Sequence, residues 1–382
     1  MENRGDMCCD PTAVSETDGM AAARLFRNSE ERLRREVARA LEDRARLGLD
    51  GLVGDLVGVV INVEPEMQRA AVAELVHYTG FEVREAFEDP RRRTCVLRAE
   101  ASADILVTAR LNASNPFALL NQFPKSRHLP DTRLETFVFE CRNLDEYTAI
   151  QKSRGIDFMT DNVYRNDAFS FIETAPSPFT GNAVGLIEWH DAGRGYGTPG
   201  CRELDWRVDV PAVPYRGKIK ELDHVATRVK AEARDAAIVE FLRLTNYGFD
   251  FAIYVKSLNS ITNVARMPGA RFAMVFTSGI APYRNDEVSG PTERFTHNYG
   301  PRAHHMAFRT EDIDATYDAL CRAGMSFMVE LVGSEEEGLK QAFSAPSKHT
   351  LLVNEYIHRY EGFDGFFTKG NVTLLTKGTE KQ

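Results

Sequence analysis

Apolar positions along this chain switch repeatedly between a period of two and a period near 3.6. The alternation divides it into short strands and helices. Residues 58–63 (GVVINV) form a β-branched run, and residues 66–78 carry Met67, Val72, Leu75 and Val76 on or near one helical face. Gly80 ends that helix, and residues 81–83, 95–98 and 105–111 then read as strands. A second unit repeats the order, with a strand over 136–140, a helix over 144–154 closed by Gly155, and strands running through to 185–189. Beyond residue 220 the pattern returns: strand 222–229, helix 231–244, Gly248, strand 249–255 and strand 304–309. The helix after it sets Ile313, Tyr317, Leu320 and Cys321 on one face and stops at Gly324.

The two halves can be laid on each other. VHYTGFEV (76–83) matches LTNYGFDF (244–251), and FECRNLDEYTAIQKSRGIDF (139–158) matches FRTEDIDATYDALCRAGMSF (308–327). LIEWH (186–190) matches VNEYIH (353–358) around an acid. Gly80 and Gly248, Gly155 and Gly324, and Glu188 and Glu355 stand almost equally far apart, which marks an internal duplication. The expected fold is α+β, built from tandem βαβββ units. Two units make an N-terminal domain (51–192) and two a C-terminal domain (221–375), each an open mixed-sheet barrel. Residues 193–220 are rich in Gly and Pro and read as a linker. Residues 1–50 are expected to hold a polar, disordered tail followed by a charged helix over 21–47, with Leu25, Leu33, Val37 and Leu41 as its apolar stripe.

Composition narrows the function classes. A net charge of −9 over 382 residues argues against nucleic acid as the main partner, since phosphate binding needs a basic face. No apolar run is long enough to cross a bilayer. The N-terminus lacks the basic and apolar regions of a secretory signal. The six cysteines are scattered without a CxxC, as in a reduced, cytoplasmic protein. Small molecules, and possible homo-oligomerisation, are the partners left.

Candidate chemistry starts at Glu355, a carboxylate inside an apolar run. Burying it is costly unless a cation or hydrogen bonds compensate. Arg359 is one candidate partner. His224 and His305 offer another answer. Both sit on strands of the C-terminal half, at positions that the alignment pairs with Gly58 and Thr136. Two imidazoles and one carboxylate form the facial triad of non-haem Fe(II) oxygenases, which leaves coordination positions open. The bland alternative for each histidine is a hydrogen-bonded core residue. His304 adjoins His305, and strand alternation sends the two to opposite faces.

At these residues the chain resembles the vicinal-oxygen-chelate (glyoxalase-like) superfamily, and within it the 4-hydroxyphenylpyruvate dioxygenases. LDHVATRV (222–229) resembles the strand of the first metal ligand, GPRAHHMAFRTEDI (300–313) that of the second, and NEYIHRYEGFDGFFTKGN (354–371) the closing segment. The resemblance implies Fe(2+) held by His224, His305 and Glu355 as the catalytic centre. Ser260 (in SLNS), His304, Phe367 and Asn371 become substrate contacts. It implies oxidative decarboxylation of a 2-oxo acid by dioxygen, coupled to hydroxylation, with homogentisate as product if the substrate is 4-hydroxyphenylpyruvate. The chain departs from the family pattern in several places: His304 and Thr292 stand where glutamines are usual, VFTS (275–278) where Pro-x-Asn is usual, and Val372 where Phe is usual. The substrate side chain is therefore expected to differ. An extradiol ring-cleaving enzyme on the same fold, with His304 or Tyr299 as acid/base, and a non-catalytic binding relative are the alternatives.

Overall fold

A computed structural model describes residues 26–209 and 215–382. The expected tail, and the start of the expected helix with Leu25, lie outside these residues. Helix α1 (Glu30–Arg46) starts later than the pattern suggested, because Ser29 caps it and accepts a hydrogen bond from the Arg32 N–H. Asn28, just before the cap, donates to the carbonyls of Ala231 and Gly279 instead of joining the helix. Acidic residues open α1 and arginines close it, as the helix dipole favours. Its buried face, Leu33, Val37 and Ala40, lies against the C-terminal half.

The first unit comprises β1 (Val53–Asn62), α2 (Gln68–Tyr78), β2 (Glu82–Glu88), β3 (Arg92–Arg98) and β4 (Asp104–Arg110). The second comprises β5 (Arg133–Cys141), α3 (Leu144–Ser153), β6 (Tyr164–Arg165), β7 (Phe169–Glu173) and β8 (Ala183–Trp189). Within the expected linker, β9 (Arg202–Glu203) pairs with β2, and Tyr196 and Trp206 are buried. The C-terminal half repeats the plan with β10 (Ile219–Arg228), α4 (Arg234–Leu244), β11 (Gly248–Val255), β12 (Ser260–Arg266) and β13 (Ala273–Ser278). After an inserted helix, α5 (Pro291–Tyr299), come β14 (Arg302–Thr310), α6 (Ile313–Arg322), β15 (Val332–Ser334), β16 (Leu339–Phe343) and β17 (Val353–Arg359). Helix α7 (Lys369–Gly378) follows the glycine- and phenylalanine-rich segment.

Each half is one curled mixed sheet, in the orders β6-β7-β8-β5-β1-β4-β3-β2-β9 and β11-β12-β13-β10-β14-β17-β16-β15. The first strands of the two units pair antiparallel at the centre (β1 with β5, β10 with β14), and each is flanked by the parallel last strand of its own unit. One face of each sheet carries the helices and a core shared by the halves. The concave face of the C-terminal sheet carries the candidate site.

Strand register tests the duplication residue by residue. Gly58 opposes Val138 as His224 opposes Ala307, and Val60 opposes Thr136 as Ala226 opposes His305. Gly58 and Thr136 therefore hold the places of the two histidines. The third correspondence needs correcting. Ala307 opposes Glu355 where Val138 opposes Gly185, so Gly185, not Glu188, is the counterpart of Glu355. Glu188 lies further along β8 and accepts a hydrogen bond from the Leu144 N–H at the start of α3. Matching acids misled here because backbone pairing, not residue identity, sets register.

Candidate metal centre

His224, His305 and Glu355 come from three neighbouring strands, β10, β14 and β17. All three are buried, and one ligand atom from each lies within 4.8 Å of the others. Glu355 Oε2 is 3.1 Å from His224 Nε2 and 3.2 Å from His305 Nε2. The other oxygen, Oε1, accepts from the Gln341 side-chain amide, which turns Oε2 toward the imidazoles.

Both imidazoles are held from behind. Asp223 Oδ2 lies 2.7 Å from His224 Nδ1, and a carboxylate only accepts, so Nδ1 carries the proton. Arg359 fixes Asp223 with two bonds of 2.6 and 3.0 Å. Burial would raise the Asp223 carboxyl, but Arg359 and His224 outweigh it and hold it well below the usual range. His304 Nε2 donates to Gln382 Oε1 at 2.7 Å, which leaves His304 Nδ1 to accept from His305 Nδ1 at 2.8 Å. In both histidines Nε2 is then the nitrogen that faces Glu355.

Three electron-rich atoms converging in a buried site repel one another unless a cation lies between them. Burial lowers the proton affinity of His224, yet the Glu355 charge and the hydrogen bonds to Asp223 and Glu355 push it up to about 9. His305 goes the other way, lowered by burial and by the neighbouring His304, His224 and Arg228. In the ion-free chain His224 and Glu355 therefore share a proton at Nε2; a divalent transition ion would take that proton's place, with two neutral imidazoles and one carboxylate oxygen as its donors. Among the described residues these three form the one such cluster.

The adjacent His304 and His305 both turn inward, against the alternation argument. The cause is a β-bulge: Ala226 opposes His305 and Thr227 opposes Ala303, so His304 is the extra residue. His304 sits behind His305, edge-on to Phe295, and does not line the cavity. The other expected substrate contacts divide. Phe367 lines the cavity, its ring centroid 5.1 Å from that of His224. Ser260 bonds Thr292 at 3.2 Å, and it is Thr292 that reaches the cavity. Asn371 is fully buried and donates to Gln341 Oε1 at 3.0 Å, so it steadies Glu355 through Gln341 rather than facing the cavity.

Sequence reasoning missed Asp223, Gln341 and Arg228. Asp223 adjoins a ligand, the one signal available. Gln341 lies on a strand that was not read. Arg228 ends β10 on the same face as His224 and lines the cavity, only 4% exposed. Burial pulls its guanidinium down to about 9. The N-terminal copy is closed where the ligands would stand. A Cβ on Gly58 would come within 3.3 Å of the Tyr196 hydroxyl, and one on Gly185 within 3.0 Å of the Phe171 ring.

Two curled sheets of paired βαβββ units, with a donor set on one of them, define the vicinal-oxygen-chelate fold in its two-domain form. The chain is similar in structure to a triple mutant of 4-hydroxymandelate synthase from Streptomyces coelicolor, with a TM-score of 0.64 and 18% identity over 86% of this chain and 98% of that one. It is also similar to a xylose isomerase-like TIM barrel/4-hydroxyphenylpyruvate dioxygenase fusion protein, with a TM-score of 0.59 and 13% identity over 98% of this chain and 61% of that one. No family model and no curated protein sequence matches the chain. No helix among the described residues is long and apolar enough to cross a membrane.

Proposed function

We propose that this chain is a non-haem Fe(II) dioxygenase acting on a 2-oxo acid. The observation that carries the reading is the convergence of His224 Nε2, His305 Nε2 and Glu355 Oε2, each imidazole fixed with its Nε2 inward. The similarity in fold to a 4-hydroxymandelate synthase and to a 4-hydroxyphenylpyruvate dioxygenase fusion supports it. His224, His305 and Glu355 would hold the ion. A bound ferrous ion supplies dioxygen activation and the oxidative decarboxylation that precedes hydroxylation.

The chain's own residues hold, orient and shield. Asp223 and His304 keep protons on the Nδ1 atoms and turn each Nε2 toward Glu355. Gln341, steadied by Asn371, keeps Glu355 in a single-oxygen presentation. Phe366 and Phe367 pack edge-on to His224 at 5.5 and 5.1 Å and exclude water. The cavity beside the three residues is about 40 Å³, and Phe367, Val372 and Leu375 form one wall. Neither His304 nor Tyr299 lines the cavity, which favours the 2-oxo-acid reading over extradiol ring cleavage.

Anaerobic loading with Fe(II), followed by a panel of 2-oxo acids with oxygen consumption and product mass recorded, tests the proposal. Glu355→Ala is expected to lose both bound iron, by elemental analysis, and oxygen uptake. A variant that keeps both removes the assignment.

A further inference from the structure

The cavity beside the candidate metal centre holds polar atoms that the protein does not satisfy. Arg228 Nη1 and Thr277 Oγ1 are both buried and have no hydrogen-bond partner. They are neighbours by register, because Arg228 pairs with Thr277 across the parallel β10/β13 ladder. Thr262 continues the row as the β12 partner of Thr277, and all three residues line the cavity together with His305 and Glu355.

The duplicated half supplies an internal control. The register counterparts of Arg228 and Thr277 are Asn62 and Thr108, which also pair across parallel strands. There the Thr108 hydroxyl donates to Asn62 Oδ1 at 3.0 Å, and Asn62 donates onward to the Asp131 carbonyl at 2.8 Å. The copy is closed on itself. In the C-terminal half the same two places carry a guanidinium and a hydroxyl that leave each other unpaired.

Arg228 is held in place on its other sides. Its Nη2 donates to Thr379 Oγ1 at 2.9 Å, and its guanidinium lies 4.6 Å from the centroid of the Phe295 ring. Among the described residues no carboxylate forms an ion pair with it. A buried charge without a partner is costly, and a preoriented donor beside a hydroxyl is the arrangement that recognises a carboxylate. Along β10, at about 3.3 Å per residue, the Arg228 Cα lies roughly 13 Å from that of His224, so Arg228 and Thr277 line the cavity beyond the three candidate ligands on the β13 side. Charge gives the same direction. A divalent ion on one carboxylate leaves one positive charge, Arg228 adds a second, and a singly charged 2-oxo acid neutralises only half of that.

We propose that Arg228 and Thr277 form an anion subsite on the β13 side of the cavity, and that the substrate is a 2-oxo acid carrying a second carboxylate on its side chain. This deepens the 2-oxo-acid reading and rests on it.

The test is calorimetric titration of the Fe(II)-loaded full chain without oxygen, using phenylpyruvate and 4-carboxyphenylpyruvate as probes. The doubly charged probe is expected to bind wild type at least about 10-fold more tightly. In Arg228→Gln that advantage disappears while phenylpyruvate affinity stays within about 3-fold, and Arg228→Lys recovers part of it. Thr277→Val is expected to weaken the doubly charged probe by roughly 3- to 10-fold. Melting temperatures identify any variant that fails to fold, in which case the wild-type comparison and Thr277→Val decide. Equal affinity of the two probes for wild type, or equal loss of both in Arg228→Gln, overturns the subsite and leaves the 2-oxo-acid reading standing. If no 2-oxo acid binds the iron-loaded protein, that reading falls, and the subsite falls with it.

Discussion

Asp223 lies outside the proposed coordination sphere, yet it decides what His224 offers to a metal. By accepting the Nδ1 proton it fixes the tautomer, and through Arg359 it is itself fixed. Asp223→Asn keeps the shape and removes the charge, so the imidazole loses a preferred tautomer. Iron affinity is expected to fall about 10- to 100-fold, measured by competition with a chromogenic chelator. Glu293 carries a different residue-scale consequence. Burial raises its carboxyl from 4.5 to about 7, against the lowering effect of backbone N–H donors at Gly279 and Tyr283. Between those values the folded chain keeps a proton that the unfolded chain has released, so this group makes stability fall as pH rises through the window. Urea unfolding at about pH 5 and about pH 8 should show a part of the slope that Glu293→Gln lacks. The three candidate ligands were legible in sequence because each sits on a recognisable strand. His304 and Asn371 were not, because a bulge and a tertiary contact with Gln341 decide where they point.

At the scale of elements, α7 is the piece on which access depends. Its N-cap, Thr368, accepts from the Asn371 N–H at 3.1 Å and follows directly on Phe366 and Phe367. Helix start, aromatic cover and the Asn371–Gln341–Glu355 chain are thus one structural unit. Thr368→Ala should cost about 1 kcal/mol, concentrated in this segment. Hydrogen exchange is expected to show faster exchange across Lys369–Gly378 and little change in β10 or β14. Elements of this kind were the hardest to read. Helix α7 opens with Lys-Gly-Asn, which looks like a loop. Strand β12 buries Thr262, which lines the polar cavity, and Asn263, which donates to the Phe276 carbonyl, and these two polar residues break the apolar alternation that marks an ordinary strand. Helix α5 buries Thr292 at the cavity, Glu293 on the backbone N–H groups of Gly279 and Tyr283, and Thr296 on the Glu293 carbonyl. The β-α-β-β-β order was legible in the N-terminal half, from periodic apolar faces and closing glycines, and reached the C-terminal half through the repeat, where β12, β13, β15 and β16 carry too weak an alternation to be read alone.

For the whole molecule, the question is whether the two halves are separate folding units. Phe139 of β5 packs against Phe241 and Tyr247, with ring centroids 5.8 and 5.6 Å apart, and Phe81 meets Phe308 at 5.9 Å. These contacts cross between halves inside one continuous core. Buried arginines stitch the same boundary reciprocally: Arg133 donates to the Pro301 carbonyl and Arg302 to the Thr132 carbonyl. Helix α1, which precedes the N-terminal sheet in sequence, bonds through Arg44 to the carbonyls of Leu242, Thr245 and Tyr247 in the C-terminal half. Separating the halves would expose aromatic surface and strand these guanidinium groups, and it would split the largest core, leaving each half only its smaller apolar clusters. Thermal unfolding of the metal-free protein is therefore expected to be one cooperative transition in calorimetry, with matching calorimetric and van't Hoff enthalpies. Phe139→Ala should lower stability by about 3–5 kcal/mol while keeping a single transition, since the cavity opens in the shared core. Two resolved transitions, with only one moved by Phe139→Ala, would show that the halves fold independently and that the shared core is an interface between finished domains.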